Sequence, residues 1–255
     1  VGGTEFLFLC GCALLAGWVD AIAGGGGLIQ IPALLGAMPG APIALALGTN
    51  KLSSFCGTAT AVLRYRSLRF VNPREWVIAV GTALVGSGIG AFCATLLPGT
   101  VMKPLVMTLL LVVLAVTLKG SRRKEGLISE VLRPGGGRQV VLGGGAGVYD
   151  GLFGPGTGSF LIFFLVRWCH MDFVRASAAA KVVNLATNFG ALGMFMGLGY
   201  VDYRAGVPMG ACNVVGAWIG ATMAGRVGPT LVRSVFLITV TGLLLKLAAD
   251  YFMVG

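Results

Sequence analysis

The sequence predicts an all-α, polytopic membrane protein made of two homologous repeats, each a glycine-broken or re-entrant helix followed by three spanning helices. Three observations carry this. Of 255 residues, 56 % are hydrophobic and 11 % charged, and the mean hydropathy is +0.89, so polar side chains are too few to cover a soluble surface. The apolar stretch 17–54 holds four consecutive glycines, Gly24, Gly25, Gly26 and Gly27, and then Lys51. Clustered glycines hold a helix poorly, and backbone without helical hydrogen bonds is tolerated at bilayer depth only where it lines a cavity or is buried in protein. The same arrangement returns about 130 residues later without a gap. Gly17, Asp20, Gly24, Gly26, Ala46 and Lys51 fall on Gly147, Asp150, Gly154, Gly156, Ala176 and Lys181. Val71, Arg74, Gly86, Ile89, Gly90 and Ala91 fall on Val201, Arg204, Gly216, Ile219, Gly220 and Ala221. Interrupted hydrophobic segments at matching positions in two halves point to the binding site of a secondary transporter.

Residues 6–23 form the first apolar run. Glu5 stands where a signal peptide carries a basic region, and the run continues into the glycine loop, so it reads as a membrane segment. Residues 28–37 are too few to span, which makes a broken helix or a re-entrant hairpin. Pro42 starts a run to Leu63, and Lys51 lies roughly 14 Å into it, near the midplane. A basic connection with Arg64, Arg66, Arg69 and Arg74 leads to a hairpin, 76–97 and 101–118, about the uncharged Pro98, Gly99 and Thr100. The basic linker 119–138 then joins repeat 1–118 to repeat 139–255 on the cytoplasmic side. The second repeat reads as 139–153, a break from Gly154 to Gly158, a short piece 159–166, and spans over 174–198, 205–224 and 231–252. Gly81, Gly86 and Gly90, with Gly210, Gly216 and Gly220, have the spacing of close contact between membrane helices.

The net charge of +10 sits in short connections between apolar runs, the pattern of cytoplasmic loops and not of a nucleic-acid surface. In the first repeat the basic residues follow the Lys51 helix, while the connections at 36–41 and 98–100 are uncharged. In the second, Arg167, Arg175, Arg226 and Arg233 lie at the opposite connections. Placing both sets inside makes the repeats inverted if each break is a re-entrant tip; if it only interrupts a crossing, the repeats are parallel. Six scattered cysteines and one histidine give no metal spacing and no disulfide framework, so neither metal nor cofactor is expected.

After each break a short helix begins, at Leu28 and at Ser159, so unpaired N–H groups and a positive dipole end face the break, a ready anion site. Gly24 to Gly27 and Gly154, Gly156 and Gly158 let an oxyanion approach the backbone, and Thr157 and Ser159 add hydroxyl donors. Lys51, Ser54 and Thr58 share one helical face, a spacing that Lys181, Asn184 and Asn188 repeat. A lysine stem of about 6 Å does not snorkel out from that depth. Asn50 and Ser53 can bond either the substrate or a neighbouring helix. Asp20 and Asp150 can neutralise the lysines in the empty site, carry a coupling proton, or cap backbone N–H groups. His170 beside Asp172 reads as interfacial, and Cys56, one turn from Lys51, as packing or a contact to substrate sulfur. The partners expected are a small anion and the lipid bilayer; the sequence leaves the oligomeric state open.

The breaks GWVDAIAGGGG and GVYDGLFGPGTG, the following GTNKLSS and AAAKVVN, and the basic middle linker resemble the sulfite exporter TauE/SafE family, also called the toluene sulfonate uptake permeases. The resemblance covers nearly the whole chain. It implies a multi-pass carrier of the bacterial inner membrane for sulfur-containing anions such as sulfite, thiosulfate or organosulfonates, and sometimes other organic anions. Pro155 stands opposite Gly25 and Ala180 opposite Asn50, so the two half-sites contribute unequally. Rival readings fit less. An intramembrane aspartyl protease needs a glycine-x-glycine-aspartate sequence, which Trp18-Val19-Asp20 lacks, so no catalytic residue is assigned. GPGTGSF lacks the lysine of a phosphate-binding loop. An anion channel uses the same donors without alternating access, and a structural membrane subunit predicts silent lysines.

Overall fold

Long apolar segments must satisfy their own backbone, and helices do so within one segment. The computed structural model describes residues 3–102, 104, 105, 108, 135–224 and 226. Its elements are α1 (Gly3–Ala23), α2 (Gly27–Ala37), α3 (Ile43–Ser67), a short 3-10 turn (Pro73–Trp76), α4 (Val77–Leu96), α5 (Gly136–Leu152), α6 (Thr157–Trp168), α7 (Phe173–Gly197) and α8 (Tyr203–Met223). Among the described residues there is no strand. The run expected at 231–252, and most of the run 101–118 and of the linker 119–138, lie outside the described residues.

Two of these helical segments, Gly3–Ala23 and Pro73–Leu96, are long and apolar enough to cross a membrane, with mean hydropathies of 2.0 and 1.9. Helices α3 and α7 have 25 residues each, roughly 37 Å at 1.5 Å per residue, and are the interior pair. Their apolar character is diluted by a buried polar stripe: Thr49, Asn50, Lys51, Ser53 and Thr58 on α3, and Ser177, Lys181, Asn184, Thr187 and Asn188 on α7. The outer surface is the reverse. Leu7 and Leu15 of α1, Val85, Ile89 and Phe92 of α4, and Val207 and Val215 of α8 are exposed. Polar groups inside and large apolar groups outside suit a protein whose solvent is lipid.

Several boundaries differ from expectation. Helix α3 runs to Ser67, so Arg64 and Arg66 belong to its last turn and not to the connection. Arg64 Nε donates to Thr222 Oγ1 at 2.9 Å, and the guanidinium lies 4.8 Å from the Trp218 ring centre on α8. Helix α2 starts at Gly27 and α6 at Thr157, one and two residues before the expected starts at Leu28 and Ser159. The first turn of a helix makes no intrahelical N–H bonds, so glycine and threonine are tolerated there.

The small-residue spacings do bring backbones together. Gly216 and Gly220 of α8 lie against Leu14 and Trp18 of α1, while Gly17 of α1 meets Asn213 and Ala217 of α8. On the other side Gly86 and Gly90 of α4 meet Gly144 and Val148 of α5, and Gly147 and Gly151 of α5 meet Ala83 and Ser87 of α4. Gly81 has no close neighbour among the described residues. Between these pairs α3 packs on α7, where Asn188 Nδ2 donates to Thr58 Oγ1 at 3.3 Å.

Candidate functional site

The two breaks are formed by glycines in the left-handed region. Gly24 and Gly25 have φ of 75° and 96°, and Gly154 and Gly156 have φ of 88° and 80°. That region costs an L side chain roughly 1–2 kcal/mol, so glycine is required rather than merely tolerated. The four-glycine run is thus not uniformly broken: Gly26 is already right-handed and Gly27 is helical. The breaks also touch. A Cβ on Gly24 would strike the Gly158 carbonyl carbon and the Ser159 nitrogen.

Hydroxyls from three helices fix the end of α1. The Tyr65 hydroxyl on α3 donates to the Ala21 carbonyl at 2.6 Å, Ser177 Oγ on α7 to Ile22 at 2.8 Å, and Ser159 Oγ on α6 to Ala23 at 3.1 Å. Carbonyls at a helix C-terminus have no intrahelical partner, so these bonds replace the ones the break removes. In the second break the Tyr149 hydroxyl donates to the Pro155 carbonyl at 2.7 Å.

The lysines face across the two halves. Lys51 Nζ lies 2.7 Å from Asp150 Oδ2, as an ion contact outside hydrogen-bond angles, with both side chains at most 3 % exposed. Lys181 Nζ donates to Asp20 Oδ2 at 2.7 Å and is fully buried. The other carboxylate oxygens are also used. Asp20 Oδ1 accepts from the Gly26 N–H at 3.1 Å, and Asp150 Oδ1 from Thr157 Oγ1 at 2.8 Å. Two lysines and two aspartates are therefore paired at the centre, and Asp20 also caps a backbone N–H, while Asp150 holds a hydroxyl instead.

Between the breaks is a polar cavity of about 20 Å³, where a water needs roughly 10–15 Å³. Its walls include Asp20, Gly25, Gly26, Gly27, Asn50, Lys51, Ser54, Asp150, Gly154, Gly156, Thr157, Gly158, Asn184 and Asn188. Three expected site residues stand back from it. Gly24 is in the contact between the breaks, Ser159 caps Ala23, and Lys181 lies behind Gly158, 3.3 Å from where a Cβ would be. The first-turn amides of Gly27, Thr157, Gly158 and Ser159 have no hydrogen-bond partner among the described residues, whereas Leu28 and Ile29 bond back to the Gly25 and Gly26 carbonyls. The anion-binding capacity of the α2 end is thereby smaller than its four glycines suggest.

Ser53 turns away from the cavity and accepts from Asn213 Nδ2 of α8 at 3.2 Å, while Asn50 remains in the wall and accepts from Ser54 Oγ at 3.4 Å. Cys56 faces Gly210 of α8, where it packs between helices outside the cavity wall. Asp172 caps α7 through the Arg175 N–H at 3.0 Å. Tyr65, Tyr149 and Ser177 carry the breaks yet gave no sequence signal, because each acts through a carbonyl set by tertiary contact.

Paired helix breaks around buried, mutually neutralised charges, within a shell of exposed apolar helices, define a membrane transporter. The chain belongs to the sulfite exporter TauE/SafE family, whose family model matches residues 9–247. A probable membrane transporter protein, ORF9, of a Sinorhizobium species is 35 % identical over 246 residues, 96 % of this chain and 92 % of that protein. One from Haemophilus influenzae is 35 % identical over 242 residues, 92 % of each chain. The probable membrane transporter protein YfcA of Escherichia coli K12 is 32 % identical over 250 residues, covering 93 % of this chain and 87 % of that one. No solved structure gives a significant match.

Proposed function

We propose that the chain is a secondary carrier that exports small sulfur-containing anions, such as sulfite, thiosulfate or organosulfonates, across the bacterial inner membrane. The observation that carries the reading is the cavity between the two breaks, with Lys51 in its wall, Lys181 behind Gly158, and unpartnered amides at the starts of α2 and α6. An oxyanion there would take the lysine charges from Asp20 and Asp150 and accept from Asn50, Ser54, Thr157 and Asn184. Room for about one water, closed by contact of the breaks, suits an occluded carrier better than a conducting pore. The sulfur-anion class rests on the family description. An inside-negative potential favours outward movement of an uncompensated anion by about 2.3 kcal/mol per charge per 100 mV.

The repeats are read as inverted and multi-pass. Helix α3 carries Arg64 and Arg66 at its C-terminal end, whereas α7 has Arg167 and Arg175 about its N-terminal end. Cytoplasmic placement of both basic ends makes these equivalent helices antiparallel. The cycle is then a rocking of one repeat against the other around the loaded site.

Thermal unfolding of the purified protein against sulfite, thiosulfate, sulfate, short sulfonates, carboxylates and chloride tests this, with Lys51→Ala and Lys181→Ala beside it. A ligand at about 100 times its Kd adds roughly 2.7 kcal/mol. Stabilisation of the wild type by a sulfur oxyanion, absent in folded variants, is expected. Equal response of wild type and variants overturns the site.

A further inference from the structure

We propose that each anionic charge enters this site together with one proton, which is held on Asp20 or Asp150, so that the loaded centre stays electrically neutral. The inference rests on the carrier reading above and adds the coupling ion to it. The empty centre contains two lysines and two aspartates and has no net charge. Each ammonium sits 2.7 Å from a carboxylate oxygen, Lys51 in the cavity wall and Lys181 behind Gly158, and the cavity has room for about one water, less than an oxyanion needs. An anion makes room beside Lys51 or Lys181 by displacing the paired carboxylate.

A displaced carboxylate has few other partners. Asp150 is faced by Lys51 from α3 and by the Thr157 hydroxyl from α6, with the Tyr149 phenol next to it on α5 and engaged by Pro155. Asp20 is faced by Lys181 from α7 and the Gly26 N–H, and the Tyr65 phenol from α3 is engaged by Ala21. No titratable group from α2, α4 or α8 lines the cavity among the described residues. A buried carboxylate that loses its one cation is more stable with a proton than with a charge. The proton comes from water on the side from which the anion enters, binds a carboxylate oxygen, and leaves when the lysine returns.

The asymmetry of the two pairs sets an order. Lys181 keeps a full hydrogen bond to an Asp20 that is 16 % exposed, whereas the Lys51–Asp150 contact is more buried and poorly aligned and borders the cavity directly. Asp150 is the first to be displaced, and a singly charged anion uses it alone. A doubly charged anion displaces both. Neutral loading removes the membrane potential as a driving force, and an inward proton gradient opposes efflux, so export then follows an outward anion gradient.

Titration calorimetry on the purified full chain, in buffers of different ionisation enthalpy at one pH, measures the protons taken up per anion bound. The probes are methanesulfonate and thiosulfate, both fully ionised at neutral pH, so any proton taken up goes to the protein. The slope is expected at about one for methanesulfonate and about two for thiosulfate, with affinities falling roughly 10-fold and 100-fold per unit rise in pH. Asp150→Asn should remove the methanesulfonate slope and leave about one for thiosulfate. Binding with zero slope in the wild type overturns the coupling and leaves the carrier reading intact. Absence of binding by either anion, in protein shown to be folded, overturns both.

Discussion

Replacing Asp150 by Asn tests whether the central pair is buried in the sense that matters energetically. The amide keeps the acceptor that Thr157 Oγ1 uses at 2.8 Å, so the change removes a charge and little else. Lys51, 2 % exposed, is left without a counter-ion. Breaking a buried pair from one side costs about 3–5 kcal/mol, because the surviving charge remains desolvated. At roughly 2–4 °C per kcal/mol for a chain of this size, Tm should fall on the order of 10 °C. The double variant Lys51→Met with Asp150→Leu removes both charges and should recover to within about 1 kcal/mol of the wild type, or exceed it. Thermal unfolding in detergent, at low and at high salt, reads all of this, and salt should change the difference little because a buried pair is poorly screened. A single variant within about 1 kcal/mol of wild type, or a double variant as unstable as the sum of the singles, refutes the argument.

Two further outcomes follow from the geometry. Gly24→Ala should destabilise by more than Gly40→Ala: both glycines are left-handed, at φ 75° and 84°, but only Gly24 has backbone where the Cβ would go. Equal unfolding shifts would show that the two breaks do not press on each other. Gln30 is fully buried on α2 with neither amide atom bonded among the described residues, so Gln30→Leu should raise stability by about 1–3 kcal/mol in the same assay. A loss instead would reveal a buried water on that amide.

The position of the cavity was legible because its two signals are local. A glycine cluster breaks a helix wherever it occurs, and a lysine eight residues beyond Ile43 is deep by simple rise per residue. The spacing from Lys51 to Ser54 put both in the cavity wall, and Asn184 and Asn188 followed from the second copy. The pairing was not legible. Nothing in the sequence says which lysine each aspartate meets, and both pairs cross between the halves, a choice made by packing of α3 and α7. The same holds for Ser177, whose hydroxyl reaches a carbonyl 155 positions away. Helix starts at Gly27 and Thr157 were missed because propensity describes helix interiors, not first turns.

The crossed pairing has a consequence for how the protein is made. A ribosome delivers Asp20 long before Lys181, which is 161 residues further along. At about 5–20 residues per second, that charge waits roughly 8–30 s for its final partner. During that interval Asp20 and Lys51 both lack the partners they bind in the finished fold. Both ion pairs close only after the second half has arrived, so neither half holds a neutral centre alone.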